Sequence, residues 1–187
     1  MMIDPTKWEI ETDRLILRPF RKGDYERWWE GFNGRKPPQY LFDEGRLKDM
    51  SRFTKKWFIK WISGFEEKAK QDEMYILGVF RKLDGAAVGK VELVTILRHD
   101  YQWGMMGYSI HNQYWDRGYG TESVKAFTKA TFDDLEFHRI ELHINPENRR
   151  SVRLAHRAGY ILECKRKAFS KENGRWEDML IFYQNSE

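Results

Sequence analysis

The sequence predicts an α/β fold built on a sheet of mixed strand directions, and three observations carry that expectation. Segments with the period of two typical of strands alternate along the chain with segments whose apolar residues recur at helical spacing. Two strand-like pairs are joined by Asp84-Gly85 and Asn173-Gly174, dipeptides that close antiparallel hairpins. A further strand-like segment runs through a glycine turn into an apolar-striped helix. The hairpins disfavour a purely parallel, doubly wound sheet.

Glu9 to Phe20 sets Leu15 and Leu17 against Arg14, Ile16 and Arg18, which predicts an opening strand that stops at Pro19. Asp24 starts a helix that carries Trp28 and Trp29 to about Phe32 and breaks at Gly34, Pro37 and Pro38. After a loop to about Asp49, Ser51 is the expected cap of a second helix, where Phe53, Trp57, Phe58, Trp61, Ile62 and Phe65 form one core-facing stripe. Tyr75 to Phe80 and Ala87 to Leu97 make the first hairpin, and Gly104 to Ile110 a further strand. Past Asn112 to Gly120, Val124, Phe127, Thr128, Thr131 and Leu135 trace a third helix. Ile140, Leu142 and Ile144 share one face of a strand from His138, and Asn148 or a neighbour starts a fourth helix ending near Gly159. Tyr160 to Phe169 and Arg175 to Tyr183 form the closing hairpin.

A chain of 187 residues, 41% hydrophobic and 33% charged, is expected to fold as one domain over residues 1–187. Its 33 basic and 29 acidic residues are interspersed, so a formal charge of +4 makes no nucleic-acid stripe, and no specific nucleic-acid partner is expected. Phosphates on a small cofactor stay compatible. Cys164 is the lone cysteine, which excludes an internal disulfide and a thiolate-rich metal site and suits a reducing compartment. On a strand its thiol is expected to pack, not to act as a nucleophile. His138 and His143 fall on opposite faces of a regular strand, so no metal is expected. Met1 to Arg14 lacks the apolar run of a signal peptide and no segment is long enough to cross a bilayer, so a cytoplasmic location without a membrane partner is the expectation. Exposed Trp or Phe side chains would support a homodimer.

The most informative stretch is Tyr114-Trp115-Asp116-Arg117-Gly118-Tyr119-Gly120-Thr121-Glu122. Gly118 and Gly120 let the backbone approach an anion, and the free N–H groups and positive dipole end of a helix start favour a phosphate there. Arg117 can add charge-assisted hydrogen bonds. Taken alone, the stretch is equally a helix entry with glycine turns and a solvent-facing arginine. A dinucleotide-binding turn would want glycine where Ser123 stands, and a nucleotide-phosphate loop would want lysine then serine or threonine where Thr121-Glu122 stand.

With its wider context the sequence resembles the GNAT acetyltransferases, and more narrowly their RimJ/RimL-like branch, named for acetylases of ribosomal-protein amino termini. The matches run in order through Ile10-Glu11-Thr12-Asp13-Arg14-Leu15, Leu17-Arg18-Pro19, Gly107-Tyr108-Ser109-Ile110 and the stretch above. They continue through His138-Arg139-Ile140, Asn148-Arg149-Arg150-Ser151, Ala158-Gly159-Tyr160 and Asn173-Gly174-Arg175-Trp176-Glu177-Asp178. The resemblance implies a GNAT-like domain with a central mixed, mostly antiparallel twisted sheet flanked by helices. It also implies an enzyme that moves an acetyl group directly from acetyl-CoA, its cosubstrate, to a primary amine on a protein amino terminus or a small molecule. By the same resemblance the backbone of Arg117, Gly118, Tyr119, Gly120 and Thr121 would cradle the CoA pyrophosphate, and the strand at Tyr108, Ser109 and Ile110 would pair with the pantetheine arm. Tyr108 and Ile110 are equally core residues. Trp115 stands where the superfamily's loop often begins with glutamine or arginine, a departure usual in this branch.

Acetyl transfer needs a neutral amine, a polarised thioester carbonyl and a proton for the departing thiolate. A protein α-amino group, with a reference pKa of about 7.7–8.0, needs less help than lysine near 10.4. Glu92 shares a strand face with Val94 and Ile96, which would desolvate its carboxylate and ready it to take a proton through water. It resembles the glutamate many family members use as base, and is equally an edge carboxylate in solvent. Asn148 and Ser151 stand where helix caps are ordinary; by the resemblance, the asparagine contacts the pantetheine and the serine is the acid for the thiolate. Ala155 occupies the place of a tyrosine acid in many GNAT enzymes, and Ser170 that of a glutamate that assists in some RimL-like ones, so neither role carries over. The loop from Gly34 to Asp49, with Tyr40, Phe42, Asp43 and Glu44, lies where related proteins line the acceptor cleft, and its carboxylates would attract a cationic amine. Two other classes stay open: a non-catalytic acyl-CoA-binding module, suggested by Ala155, and an RNA- or ribosome-associated module, suggested by a pI near 9.0.

Overall fold

Leu15 and Leu17 are fully buried, as their alternation predicts, but the chain reaches them by a hairpin and not by one long strand. β1 (Ile10–Glu11) and β2 (Leu15–Arg18) pair antiparallel. The Thr12 N–H donates to the Leu15 carbonyl (3.0 Å) and the Leu15 N–H to the Thr12 hydroxyl oxygen (2.9 Å). The strand expected from Glu9 to Phe20 is therefore two, because a threonine side chain holds a turn inside it.

The computed structural model describes residues 3–172 and 174–187. After β2 come α1 (Tyr25–Asn33), α2 (Lys55–Lys70), β3 (Met74–Arg81), β4 (Ala87–Leu97) and β5 (Trp103–Ile110). Then follow α3 (Tyr119–Leu135), β6 (Arg139–Ile144), α4 (Arg149–Ala158), β7 (Ile161–Glu172) and β8 (Arg175–Asn185). The eight strands form one sheet in the order β1-β2-β3-β4-β5-β6-β8-β7. Every neighbouring pair is antiparallel except β5 with β6, which α3 connects as the crossover a parallel pair requires. The mixed, mostly antiparallel sheet flanked by helices is thus the observed architecture.

Two local expectations change. α2 is capped by Thr54, whose hydroxyl oxygen accepts the Trp57 N–H at 3.2 Å, and not by Ser51. Ser51 instead binds the Asp49 carboxylate through its N–H (2.8 Å) and hydroxyl (3.0 Å), forming a local turn before the helix. In the closing hairpin Gly174 takes φ +83° beside the Glu172–Arg175 pair, while Asn173 of the expected turn lies outside the described residues.

Residues opposed in register share a sheet face, so the strands sort the helices. Val91, Leu93 and Met106 face α3, where Val124, Phe127, Thr128 and Thr131 are all buried at the expected spacing. Phe20 and Phe80 face the other way, where Phe58 of α2 and Trp28 of α1 build an aromatic cluster with ring centroids 5.2 Å apart. β5 and β6 pair at only three positions, from Trp103 to Met105, and then part. The β5 edge from Met106 to Ile110 is left without a strand neighbour on that side, and this gap positions the site.

Candidate active site

A cavity of about 530 Å³ opens at this gap. Register places Lys90 opposite Ser109 and Glu92 opposite Gly107 on the α1 side, and Tyr108 opposite Val91 on the α3 side. Lys90, Glu92, Tyr108, Ser109 and Ile110 all line the cavity, which therefore draws its walls from both faces of the sheet.

At the α3 end, Gly118 is the helix N-cap with φ +81°, a left-handed conformation that suits glycine, and no side chain caps the helix. The first helical bond runs from the Glu122 N–H to the Gly118 carbonyl (3.1 Å), so the N–H groups of Tyr119, Gly120 and Thr121 lack intrahelical acceptors. A Cβ on Gly120 would come within 2.7 Å of Leu154 Cδ1, so this glycine keeps α3 and α4 close where the N–H groups emerge. The turn is braced from outside. Glu122 accepts from the Thr12 hydroxyl (2.6 Å) and Arg14 Nε (2.7 Å), while Arg14 Nη1 donates to the Arg117 carbonyl (2.9 Å). Partial burial pushes the Glu122 carboxyl up, but these donors outweigh it and hold the group below the ordinary carboxylate range.

The Arg117 side chain is exposed and lies outside the cavity wall, so only its backbone belongs to the turn. At this end of the cavity the wall's positive charge comes instead from Arg150, Arg153 and Arg157 of α4. Arg150 pairs with Asp116 (3.0 Å) and lies over the Trp115 ring (4.3 Å), and Arg157 Nε donates to the Thr121 hydroxyl (3.4 Å). Their spacing of three and then four residues puts them on one helix face, a signal already visible in the sequence.

Gly107 makes room for Glu92, since a Cβ there would meet Glu92 Oε1 at 2.7 Å. Glu92 forms an ion pair with Lys90, two residues away on the same strand face, and its side chain is 31% exposed. The apolar setting expected from Val94 and Ile96 is not what surrounds it: Ile96 is itself 40% exposed at the strand end. Across the sheet the Tyr108 hydroxyl lies 2.6 Å from Ser151 Oγ. Burial pushes the Tyr108 phenol up to about 12 against the pull of the Ser151 hydrogen bond. Asn148 Oδ1 caps α4 by accepting the Ser151 N–H (3.2 Å) and also accepts the Tyr40 hydroxyl (3.2 Å), so it is both a cap and part of the wall. Ala155 is fully buried, and Ser170 sits on β7 opposite Glu177, away from the cavity.

The loop after α1 closes the remaining side. Asp43 is a loop staple: its oxygens accept the Gly45 N–H (2.9 Å), the Gln39 N–H (2.8 Å) and Asn112 Nδ2 (3.0 Å). These neutral donors fix the Asp43 carboxylate in place and leave its charge on the cavity wall. Buried Asn112, which the sequence did not single out, also clasps the Lys36 N–H (2.7 Å) and carbonyl (2.9 Å). Beneath the loop, Arg35 Nε donates to His111 Nδ1 at 2.8 Å.

Burial and the Arg35 charge push His111 down to about 3, so the folded protein keeps it neutral. The unfolded chain takes that proton near pH 6.5. Below that value the unfolded state binds more protons, so the stability is full above pH 6.5 and falls as the pH drops toward 3. The expected loss from this group is about 2–3 kcal/mol between pH 6.5 and 4.5, and a His111 variant separates it from the carboxylates that begin to titrate at the lower end. Urea unfolding at the two pH values should show it, and His111→Asn should flatten the slope; an equal slope in the variant would place its source elsewhere.

Residues 14–161 match the family model of the Acetyltransferase (GNAT) domain. The Bacillus subtilis (strain 168) Probable N-acetyltransferase YjcK is 34% identical over 119 residues, 64% of this chain and 66% of that protein, just under two thirds of its length. The Escherichia coli (strain K12) ribosomal protein uS5-alanine N-acetyltransferase is 24% identical over 181 residues, 94% of this chain and 89% of that one. Among solved structures, Mycobacterium smegmatis RimJ in complex with CoA-disulfide superposes with a TM-score of 0.75 at 20% identity, over 92% of this chain and 82% of that one, a likeness of fold.

Proposed function

Because the chain belongs to the GNAT acetyltransferase family, whose acetyl donor is acetyl-CoA, we propose that it acetylates a primary amine by direct transfer in the cavity between β5 and β6. The observation that carries this reading is the convergence on one cavity of an uncapped helix N-terminus, an unpaired strand edge and a carboxylate.

The residues present fit the donor. The Tyr119, Gly120 and Thr121 N–H groups, with Arg150, Arg153 and Arg157 beside them, suit a pyrophosphate. Along the open edge from Tyr108 through Ser109 to Ile110, alternation leaves the Tyr108 N–H and carbonyl and the Ile110 N–H for the amides of a pantetheine arm, the Ile110 carbonyl being taken by the Trp115 indole, and Asn148 faces the same space. When bound, acetyl-CoA supplies the activated acetyl group. Glu92 takes a proton from the attacking amine, directly or through water. Ser151 hands a proton to the departing sulfur, and the Tyr108 hydroxyl beside it replenishes that proton. Tyr108 thereby supplies from β5 the hydroxyl that α4 lacks at Ala155.

Protein amino termini, the acceptors named for the uS5-alanine relative, and small primary amines are the acceptor classes in this reading. Among the described residues no helix is long and apolar enough to cross a membrane, and a lone cysteine accords with the cytoplasm. Trp176 and Phe169, 64% and 41% exposed on the outer hairpin, are the proposed contacts of a homodimer.

Thermal melting tests the donor assignment. Acetyl-CoA or CoA at about 100 times Kd should add about 2.7 kcal/mol, which raises the Tm by about 5–10 °C. NAD and ATP should leave it unchanged. No shift with CoA, or a larger one with NAD or ATP, would overturn the proposal.

A further inference from the structure

Arg35 is a buried cation without a buried counter-charge. It is 7% exposed, follows the end of α1 and forms part of the cavity wall. Nε is held by the His111 ring nitrogen at 2.8 Å, and the guanidinium lies over the Phe32 ring, 4.2 Å from its centre. Nη1 reaches the Gly45 carbonyl at 3.4 Å and Glu44 at 3.2 Å. Glu44 is its one carboxylate partner among the described residues, and that side chain is 82% exposed on the loop. Nη2 bonds to nothing among the described residues.

Burying a guanidinium is costly unless a partner and further hydrogen bonds satisfy it, and an ion pair to a solvated carboxylate contributes little. The imidazole orients the group without neutralising it. What results is a fixed, half-used fork of N–H donors facing a cavity, the geometry that receives a carboxylate through two bonds. Of the other carboxylates on the wall, Glu92 is paired with Lys90, Asp116 with Arg150, and Asp43 accepts from Gln39, Gly45 and Asn112, so none of them reaches Arg35. A simple amine leaves the free Nη2 of this fork unused, whereas an amine that also carries a carboxylate can meet both Arg35 and Glu92.

We propose that Arg35 anchors a carboxylate on the acceptor, so that the acetylated amine belongs to an amino acid or to a peptide terminus with an acidic residue beside it. This deepens the acetyl-transfer reading above and rests on it. Glu44 occupies the fork in the empty protein and leaves when the acceptor's carboxylate takes its place.

The test compares matched acceptors by release of CoA thiol. One arm sets free amino acids against their methyl esters; the other sets amidated peptides with aspartate at the second position against the same peptides with asparagine. In at least one arm kcat/KM should favour the carboxylate form tenfold or more, and the arm that responds identifies the source. Arg35→Gln should reduce that preference below twofold. Glu44→Gln, on an exposed side chain that folding does not depend on, should widen it by lowering KM for the carboxylate form. Equal turnover of both members in both arms would overturn the inference and leave acetyl transfer standing. A preference unmoved by both substitutions would overturn it too. No thiol release in either arm would also overturn it, and amines without a carboxylate would then test acetyl transfer separately.

Discussion

Glu92→Gln is expected to lower kcat by about 10²–10⁴-fold, the range a positioned general base supplies, while acetyl-CoA Kd stays within about twofold. Glutamine has the same shape, so the space that Gly107 leaves stays filled and the β4–β5 register is undisturbed. What it lacks is a carboxylate to take the proton. Lys90, now unpaired, cannot substitute, because an ammonium has no acceptor. The deficit should be largest at low pH, where more of the acceptor arrives protonated, and should shrink as solvent removes that proton. Acetyl-CoA binding should be spared, since the pyrophosphate end of the cavity lies on the other face of the sheet. An unchanged kcat would leave the Lys90–Glu92 pair as structure and move the base elsewhere.

Gly120→Val is expected to weaken acetyl-CoA binding at least about a hundredfold, as measured by calorimetry. A hydrogen bond to a charged group is worth about 1.5–3 kcal/mol, so losing two from the α3 turn amounts to about 3 kcal/mol or more. The side chain enters where Leu154 Cδ1, itself part of the cavity wall, now sits, 2.7 Å from the ideal Cβ. The first obstacle is the far end of a flexible side chain, so the apo protein should melt within a few degrees of wild type. The Thr12, Arg14 and Glu122 clamp, which faces away from the cavity, still holds the turn. A Kd unaffected by the valine would mean that the arginines of α4 bind the phosphates without the helix end.

The separation between these two effects follows from the gap between β5 and β6, and nothing local in the sequence announces that gap. Gly107-Tyr108-Ser109-Ile110 reads as one strand, yet its residues serve opposite faces: Ser109 stands beside Lys90, and Tyr108 touches Ser151. Thr12-Asp13-Arg14 and Thr121-Glu122 are visible as separate motifs, but that one clamps the other depends on how β1, β2 and α3 are laid together. The Arg150, Arg153 and Arg157 face is legible from its spacing of three and four residues, whereas Arg117, beside the glycines, contributes only its backbone.

The sequence by itself determined what local physics controls. The two hairpins follow from their turns, the buried face of α3 from the spacing of Val124, Phe127 and Thr131, and the start of α3 from Gly118 and Gly120. Only the tertiary structure decided which side chains meet: Glu92 with Lys90 where an apolar face was expected, Asp43 turned inward on Asn112, and Arg35 set beneath the loop against a neutral His111. Period and turn chemistry act over a few residues, whereas these contacts join residues through strand register, a parallel crossover and the desolvation that burial imposes.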